Sequence, residues 1–306
     1  MAIMTRAQFK KQLQRGLNTV FGLEYKQYRE EWRECFRVEN SVKAFEEGVI
    51  ESGFGVAPIK QEGAAVEYDF GEEGWRARFT HSTIALAFAI TEEAEEDGLY
   101  GSLGAKYSKA LARSMQHTKE IHGASVFNNG HDAGGSYNGG DGVPLYSASH
   151  PLMGGGTLSN KLATAADISE VSLEAALIQI EGWTDERGIP AAIMAKKLVI
   201  PRQLKFRAQR ILKGDWQVDS AERNINAMKS MGMFPEGFSV NHRLTDTDAW
   251  YIMTDQPEGL THYVRKKISR RIEGDFSTGN MRYRARERYS FGWYNWRGSF
   301  SSEGNG

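Results

Sequence analysis

Arginine occupies every second position from Arg282 to Arg288. A period of two is typical of a β-strand, because successive side chains of a strand point to opposite faces. The pattern predicts a strand with Tyr283, Ala285 and Glu287 on one face and an arginine ladder on the other. The ladder consists of Arg282, Arg284, Arg286 and Arg288. A row of like charges repels itself unless an anionic surface lies along it. We therefore expect this strand to have a partner, which is acidic protein, nucleic acid or phosphate.

Charge is distributed unevenly along the chain, although the formal net charge is only −1. Residues 45–100 contain thirteen acids and three bases, whereas residues 263–297 contain ten bases and three acids. A net charge close to zero argues against a protein that coats nucleic acid. Opposite poles can pair within one subunit, or head to tail between copies of the same chain.

Cysteine content and hydropathy limit the class of protein further. Cys35 is the only cysteine, so an intrachain disulfide and a cysteine-based metal site are excluded. No stretch approaches the roughly 20 apolar residues of a membrane span. The N-terminal residues lack the apolar core of a signal peptide. These features predict a soluble protein made in a reducing cytoplasm, and 306 residues with 40% hydrophobic content can form a sizeable core.

Hydrophobic periodicity predicts the order of the structural elements. They are a helical arm over residues 6–35, a long β-hairpin over 53–82, a helix over 103–122, an irregular glycine-rich loop over 128–160, a compact α/β unit over 167–262 and strands through 260–300. The polar arm is expected to lie over another surface rather than in a core. In the hairpin, residues 66–70 and 75–79 are predicted to be the strands, with a turn at 71–74.

Catalytic and ligand-binding motifs are weak throughout the sequence. The glycine runs at 134–135 and 154–156 fit no phosphate-binding loop, and Asp246 and Asp248 lack the remaining ligands of a calcium loop. His131, Asp132 and His150 lie in the glycine-rich loop, where a histidine–carboxylate pair is the arrangement used in acid–base catalysis. No matched nucleophile accompanies them. We therefore predict no catalytic, cofactor-binding or metal-binding residues and no enzyme activity.

Several segments resemble the major capsid proteins of tailed bacteriophages, which have the HK97-like fold, and in particular the Mu-like major head subunits. The resemblance lies in residues 124–130 after the long helix, in 144–160, in the step from 184–190 to 197–201, in 241–250 and in 288–293. Together with the order of elements before them, these segments extend the resemblance over most of the chain.

The resemblance implies an α+β fold whose parts follow one another along the chain. They are an N-terminal arm (1–50), the extended hairpin called the E-loop (51–82), a peripheral domain with a spine helix and the glycine-rich loop (83–166), an inserted axial domain (167–262) and a return to the peripheral domain (263–306). It also implies self-assembly into hexamers and pentamers that form an icosahedral shell around double-stranded DNA.

Contacts between subunits follow from combining the resemblance with the charge pattern. The acidic hairpin of one copy is expected to lie across the arginine ladder of its neighbour, and the arm to reach under the next subunit. The interface prediction consists of Glu67, Asp69, Glu72, Glu73, Trp75, Arg76, Arg282, Arg284, Arg286 and Arg288.

Further partners implied are a separate scaffolding protein, a portal and decoration proteins, with packaged DNA bound non-specifically and no membrane. The implied location is the virion capsid, assembled in the bacterial cytoplasm.

Three alternative functions stay open: an encapsulin-like compartment, a nucleic-acid-binding protein that uses the arginine ladder, and a hydrolase that uses His131 and Asp132.

Overall fold

A computed structural model of the chain describes residues 6–63, 65–91, 100–134, 137–216, 224–275 and 279–305. The helices are α1 (Arg6–Gln27), α2 (Tyr100–Asn128), α3 (Glu170–Glu181), α4 (Lys205–Lys213) and α5 (Ala227–Ser230), with short 3-10 turns at Trp32–Glu34, Arg202–Leu204 and Trp296–Gly298. The strands are β1 (Arg37–Asn40), β2 (Phe45–Glu51), β3 (Glu73–Thr80), β4 (Ser82–Ile90), β5 (His150–Pro151), β6 (Thr157–Leu158), β7 (Ala195–Ile200), β8 (Phe238–Val240), β9 (Trp250–Thr254), β10 (Leu260–Gly274), β11 (Met281–Trp293) and β12 (Ser299–Ser302).

Strands β1, β10, β11 and β4, in that order, form what we call the peripheral sheet. The long strands β10 and β11 are antiparallel and pair from Leu260 opposite Trp293 to Gly274 opposite Met281. Strand β4 continues the sheet on the other side of β11. Helices α1 and α2 cover one face, where Leu17 and Phe21 pack with Leu111, Met115 and the inward side chains of β11.

The packing of α1 corrects one sequence prediction. The arm was expected to lie over another surface, but Leu17 and Phe21 are almost fully buried in the core of their own subunit. The Tyr283 hydroxyl also donates a hydrogen bond to the Asn18 side chain. A narrow apolar stripe at i and i+4 is enough to seat this polar helix on α2. The composition of the arm was therefore a poor guide to its position.

The hairpin also differs from its prediction. Strand β3 pairs with β2, from Phe45 opposite Thr80 to Glu51 opposite Glu73. The predicted strand over residues 66–70 and the turn over 71–74 are therefore wrong, because no described residue of 52–72 lies in a strand. Gly48 explains the partner choice. A Cβ there would lie 1.8 Å from the Tyr294 ring, so only glycine lets β2 pass beside this half-buried tyrosine.

Strands β12, β9, β7 and β8 form what we call the compact sheet. Helix α4 lies in the crossover between the parallel strands β7 and β8. Strand β12 pairs with β9, so the final strand belongs here and not to the peripheral unit to which 263–306 was predicted to return. The reason is burial: Phe300 is fully buried and packs near Trp183 and Trp250.

Helix α2 joins the two cores. It extends six residues beyond the predicted end at 122. Leu111 and Met115 contribute to the peripheral core, whereas Val126 and Phe127 are buried in the larger core around the compact sheet. One continuous helix therefore fixes both units, as a spine.

Candidate assembly interface

The arginine ladder lies on β11 with the alternation that the sequence predicts. Tyr283, Ala285 and Glu287 are buried on the face that packs against α1 and α2. On the opposite face Arg282 and Arg284 are exposed, and Arg286 and Arg288 are half-buried. The prediction of a two-faced strand is confirmed.

Neighbouring strands extend the ladder into a two-dimensional surface. On one side, small residues of β4 lie opposite the four arginines: Ala89, Ala87, Ala85 and Thr83. On the other side, Glu273, Arg271, Ser269 and Lys266 of β10 occupy the matching positions. We call this surface the basic face. Because the β4 side chains are short and exposed, they do not shield the guanidiniums laterally.

Acidic groups neutralise only one end of the basic face. Glu273 pairs with Arg271 at 2.7 Å, and Asp275 pairs with Arg282. Arg284, Arg286, Arg288 and Lys266 form no ion pair with any residue in the described part of the chain. The remainder of the face therefore carries an uncompensated positive potential that favours an anionic partner.

Glu287 explains why the opposite face of β11 is closed to such a partner. The Lys119 ammonium of α2 lies 2.6 Å from the Glu287 carboxylate and donates to the Tyr25 hydroxyl of α1 at 2.6 Å. Burial raises the pKa of Glu287, and the charge of Lys119 counteracts that rise. The three side chains join α1, α2 and the sheet, so the basic face is the side of β11 left open.

Residues 52–72 form a loop at the end of the β2–β3 hairpin, which we call the hairpin loop. Its base is closed by a hydrogen bond from the Ser52 amide to the Glu72 carbonyl. The loop exposes large apolar side chains, and Ile59 and Tyr68 are each 97% exposed. The others are Phe54, Val56, Val66 and Phe70. Large exposed apolar surfaces on a soluble protein mark an interaction site more often than not.

The acids predicted for the interface have different environments. Asp69 accepts from the Gly55 and Phe70 amides and from Arg187, and these contacts hold its pKa below the usual value. It is therefore engaged within its own subunit. Glu67, Glu72 and Glu73 are exposed; on β3, Arg76 is exposed and Trp75 is half-buried. No described carboxylate of the hairpin reaches the arginine ladder of the same chain.

The histidines of the glycine-rich loop have structural partners. The His131 ring contacts the Ser301 hydroxyl at 3.1 Å and lies 3.7 Å from the Glu303 carboxylate, while Asp132 is exposed. Burial lowers the pKa of His131 to about 4. The catalytic pair of His131 and Asp132 is thus not formed.

His150 instead belongs to a buried cluster that the sequence did not reveal. It lies 2.7 Å from Asp141 and stacks on Trp296 with ring centroids 4.6 Å apart. The Asn160 amide donates to the carbonyls of Leu145 and Ser299. This cluster fixes the glycine-rich loop against the C-terminal segment. The only sequence signal was the presence of His150 and Asn160 within the capsid-like segment 144–160.

Other reactive groups are buried or lack the geometry for chemistry. Burial raises the pKa of Cys35 to about 12, so its thiol is not ionised near neutral pH. Among the described residues, no cluster of three or more histidine, cysteine or acidic side chains is arranged to hold a metal ion. In the same part of the chain, no helix has the length and apolar content to cross a membrane.

Comparison with known proteins gives one family. The family model described as "Phage capsid protein" matches residues 76–301. A search of curated proteins found no match.

Solved structures share the fold at low sequence identity. The capsid of an empty gene transfer agent (GTA) particle matches with a TM-score of 0.56 and 11% identity over 89% of this chain and 88% of that one. A virus-like particle from Pyrococcus furiosus matches with a TM-score of 0.51 and 12% identity over 94% and 97% of the two chains. The match to Mycobacterium phage Bobi has a TM-score of 0.51 and 12% identity, and covers 91% of each chain. The expected HK97-like fold is confirmed.

Proposed function

The chain belongs to the phage capsid protein family, and from this premise we propose that it is the major subunit of an icosahedral head built from hexamers and pentamers. Its role in the virion is structural rather than enzymatic. The observation that supports self-assembly best is a mismatch within one subunit. The hairpin loop exposes six large apolar side chains, and four cations of the basic face (Arg284, Arg286, Arg288 and Lys266) form no ion pair with any described residue of the same chain.

The hairpin loop of one copy is proposed to lie across the basic face of a neighbouring copy. Glu67 and Glu72 would face Arg284, Arg286 and Lys266, three of the four basic-face cations that form no ion pair in the described subunit. Such pairing fixes the register of a contact more than its affinity. Affinity would come from the exposed loop residues, including Ile59 and Tyr68, packed over the alanines of β4.

Hydrogen bonds within the subunit support this arrangement, because they order the hairpin loop before it binds a neighbouring copy. The Arg187 guanidinium binds both Asp69 oxygens, at 2.9 and 3.0 Å, and the Asp69 carboxylate accepts from the Gly55 amide at 2.7 Å. These bonds restrict a loop that otherwise has few contacts. A loop that is ordered before binding loses less conformational entropy in the interface.

The other partners that we propose are inferred from the family and not from the contacts of the hairpin loop or the basic face. We propose a separate scaffolding protein, a portal and decoration proteins as further components, with double-stranded DNA packaged without sequence specificity. Assembly is proposed to take place in the cytoplasm of the host bacterium. The domain division stays a prediction, with 167–262, now joined by β12, as the axial unit around the capsomer axis.

The first test is expression of the full chain alone, followed by negative-stain electron microscopy and light scattering. We expect closed shells, or rings of five or six subunits that close into shells when a scaffolding protein is added. A subunit that stays monomeric at high concentration, with and without scaffolding protein, would contradict the proposal.

The nucleic-acid alternative makes a different prediction for the same protein. A protein that uses the arginine ladder to bind DNA would do so as a monomer, with affinity that falls steeply as salt increases. Titrating a fluorescent duplex with the subunit at two salt concentrations separates the two functions. We expect weak DNA binding by the free subunit, because we propose that the basic face binds the hairpin loop of a neighbouring copy rather than nucleic acid.

In the compartment alternative, a shell of the same fold would enclose a protein cargo instead of DNA. Purified shells distinguish the two by their contents. Packaged nucleic acid gives an absorbance ratio typical of DNA after nuclease treatment, whereas a protein cargo appears as a second band on a gel.

A further inference from the structure

Helix α3 leaves one acidic and apolar face exposed on the compact unit. The apolar residues on its buried side are Leu173, Ala176, Leu177 and Ile180. The outward stripe repeats every three or four residues as Val171, Glu174, Ile178 and Glu181. Val171 is 71% and Ile178 is 73% exposed, although both are β-branched aliphatic residues that normally pack in a core.

Helix α4 leaves a face of the opposite character. It buries Ala208, Ile211 and Leu212. Its outward stripe contains Phe206, which is 72% exposed, at the centre of a group of cations. These cations are Lys205, Arg210 and Lys213 of α4 and Arg202 of the 3-10 turn before it. The two faces therefore match in pattern, each with an apolar centre, and differ in the sign of their charge.

The charged side chains of both faces lack ion-pair partners within the described subunit. Neither Glu174 nor Glu181 lies within ion-pair distance of a described base, and the same holds for Lys205, Arg210 and Lys213 toward described acids. Arg207 of α4 does contact Asp167, at 3.8 Å, close to the start of α3. The two helices thus lie near each other at that end, yet their outward stripes do not meet in one chain.

We propose that the α3 face of one copy packs on the α4 face of the next copy, in a head-to-tail contact that repeats around a ring. Val171 and Ile178 would enclose Phe206, with Glu174 and Glu181 opposite Lys205 and Arg210. Apolar centres with a polar rim are typical of protein interfaces. Contacts between different surfaces of identical subunits generate closed rings when the rotation closes.

Charge complementarity also selects against the symmetric alternative. If α3 packed on α3 of another copy, Glu174 and Glu181 would face their own equivalents, and like charges at an interface are unfavourable. The same argument excludes α4 on α4. The inference rests on the proposed function, because a ring of copies is what a capsomer requires, and it names the surfaces that would hold the ring together.

Disulfide trapping tests the contact directly in the full chain. Ile178→Cys combined with Phe206→Cys places one thiol on each face, and Cys35 is buried and does not compete. After mild oxidation we expect a ladder of covalent oligomers up to the ring size on a non-reducing gel. Each single variant is the matched control and should stay monomeric, and an equimolar mixture of the two singles should stop at dimers.

Two results would overturn the contact. One is a double variant that stays monomeric on the gel while the same preparation forms shells, which would leave the proposed function intact. The other is a dimer formed by Ile178→Cys alone, which would show that α3 meets α3. A ladder from a protein that never forms shells would support the helix contact and count against the proposed function instead.

A charge exchange provides an independent readout. Glu174→Lys with Glu181→Lys, and Lys205→Glu with Arg210→Glu, should each lower the assembled fraction about tenfold, because each places like charges across the contact. The chain with all four substitutions restores opposite charges and should recover assembly to within about twofold. If the chain with all four substitutions assembles no better than the two double variants, the proposed contact between the α3 face and the α4 face is wrong.

Discussion

The peripheral sheet and the compact sheet have the same number of strands but differ in how completely each is covered. All residues of β9 and β12 in the compact sheet are buried. In the peripheral sheet the face toward α1 and α2 is covered; on the other face Tyr263 of β10 is buried against Phe79, but β4 exposes Ala85, Ala87 and Ala89 beside the arginine ladder. Two strands of the compact sheet are thus fully buried within the subunit, whereas part of one face of the peripheral sheet remains exposed and available to a second molecule.

This difference separates two kinds of residue. Substitutions that affect the compact sheet or the covered face should change the free energy of unfolding. Substitutions on the basic face or in the hairpin loop should leave the subunit folded and change its assembly. A single chain therefore shows the features of an assembly subunit. Its core is well packed, and next to the core lie apolar and charged surfaces that have no partner within the described part of the same chain.

The largest effect is expected from the hairpin loop. Replacing residues 54–70 by a glycine–serine segment of equal length should abolish shells, because it removes six large exposed apolar side chains and three of the loop acids, Glu62, Glu67 and Asp69. The melting temperature should change little, since few of these residues contact the core. Electron microscopy and differential scanning fluorimetry measure the two properties. As a control, Lys60→Ser with Gln61→Ser should keep shells; intact shells from the full replacement would refute the role of the loop.

The next effect tests the basic face. Arg284→Glu with Arg286→Glu should reduce assembly at least about tenfold, because it turns the centre of the face acidic opposite an acidic loop. The matched control is Lys106→Glu with Lys109→Glu, which changes the net charge equally on the exposed side of α2. Light scattering against protein concentration gives the comparison. Equal assembly by both variants would mean that only the total charge matters.

A third prediction concerns the covered face of the same sheet. Lys119→Met should lower the free energy of unfolding by about 3–5 kcal/mol, because it leaves the Glu287 carboxylate buried without a cation. Adding Glu287→Leu should restore much of that loss. Chemical denaturation measures all three proteins. A single variant as stable as the original chain would show that the pair has no structural role.

The smallest effect is a pH dependence at the junction of α1 and α2. The Glu120 carboxylate accepts from the Glu31 and Trp32 amides, and burial raises its pKa to about 7, with Glu31 adding to the rise and Arg243 opposing it. A raised pKa means that the folded state holds the proton more tightly. The contribution of Glu120 to stability is therefore full below about pH 4.5 and is lost as the pH rises through 7.

Glu120→Gln should remove this dependence, which we expect to be roughly 1 kcal/mol after allowing for solvent near the group. Urea denaturation at pH 5 and pH 8 provides the measurement, with Glu174→Gln as an exposed control. His262 acts in the opposite direction, since burial lowers its pKa to about 3 and its contribution is lost as the pH falls below its usual value. A slope that is unchanged in Glu120→Gln would assign the pH dependence to other groups.

The candidate interface was only partly predictable. The ladder could be found because its alternation is local, and the surplus of acids in residues 45–100 was visible from composition. The alanines beside the ladder could not be found, because nothing near Ala85 or Ala87 indicates that β4 pairs with β11. The contact between Asp69 and Arg187 was equally hidden, since it joins residues 118 positions apart.

The sequence by itself determined the type of most elements and, where the pattern was clear, which of their faces is buried. Examples are the two-faced strand β11, the long helix α2, and the alternation of helix and strand in the compact unit. Tertiary structure alone decided which strand pairs with β3, that β12 joins the compact sheet and that α1 packs on its own α2. The physical reason is the sequence separation over which each kind of interaction acts. Periodicity is set by backbone geometry within a few residues, whereas a partner is chosen by burial between distant segments, as when Gly48 makes room for the Tyr294 ring.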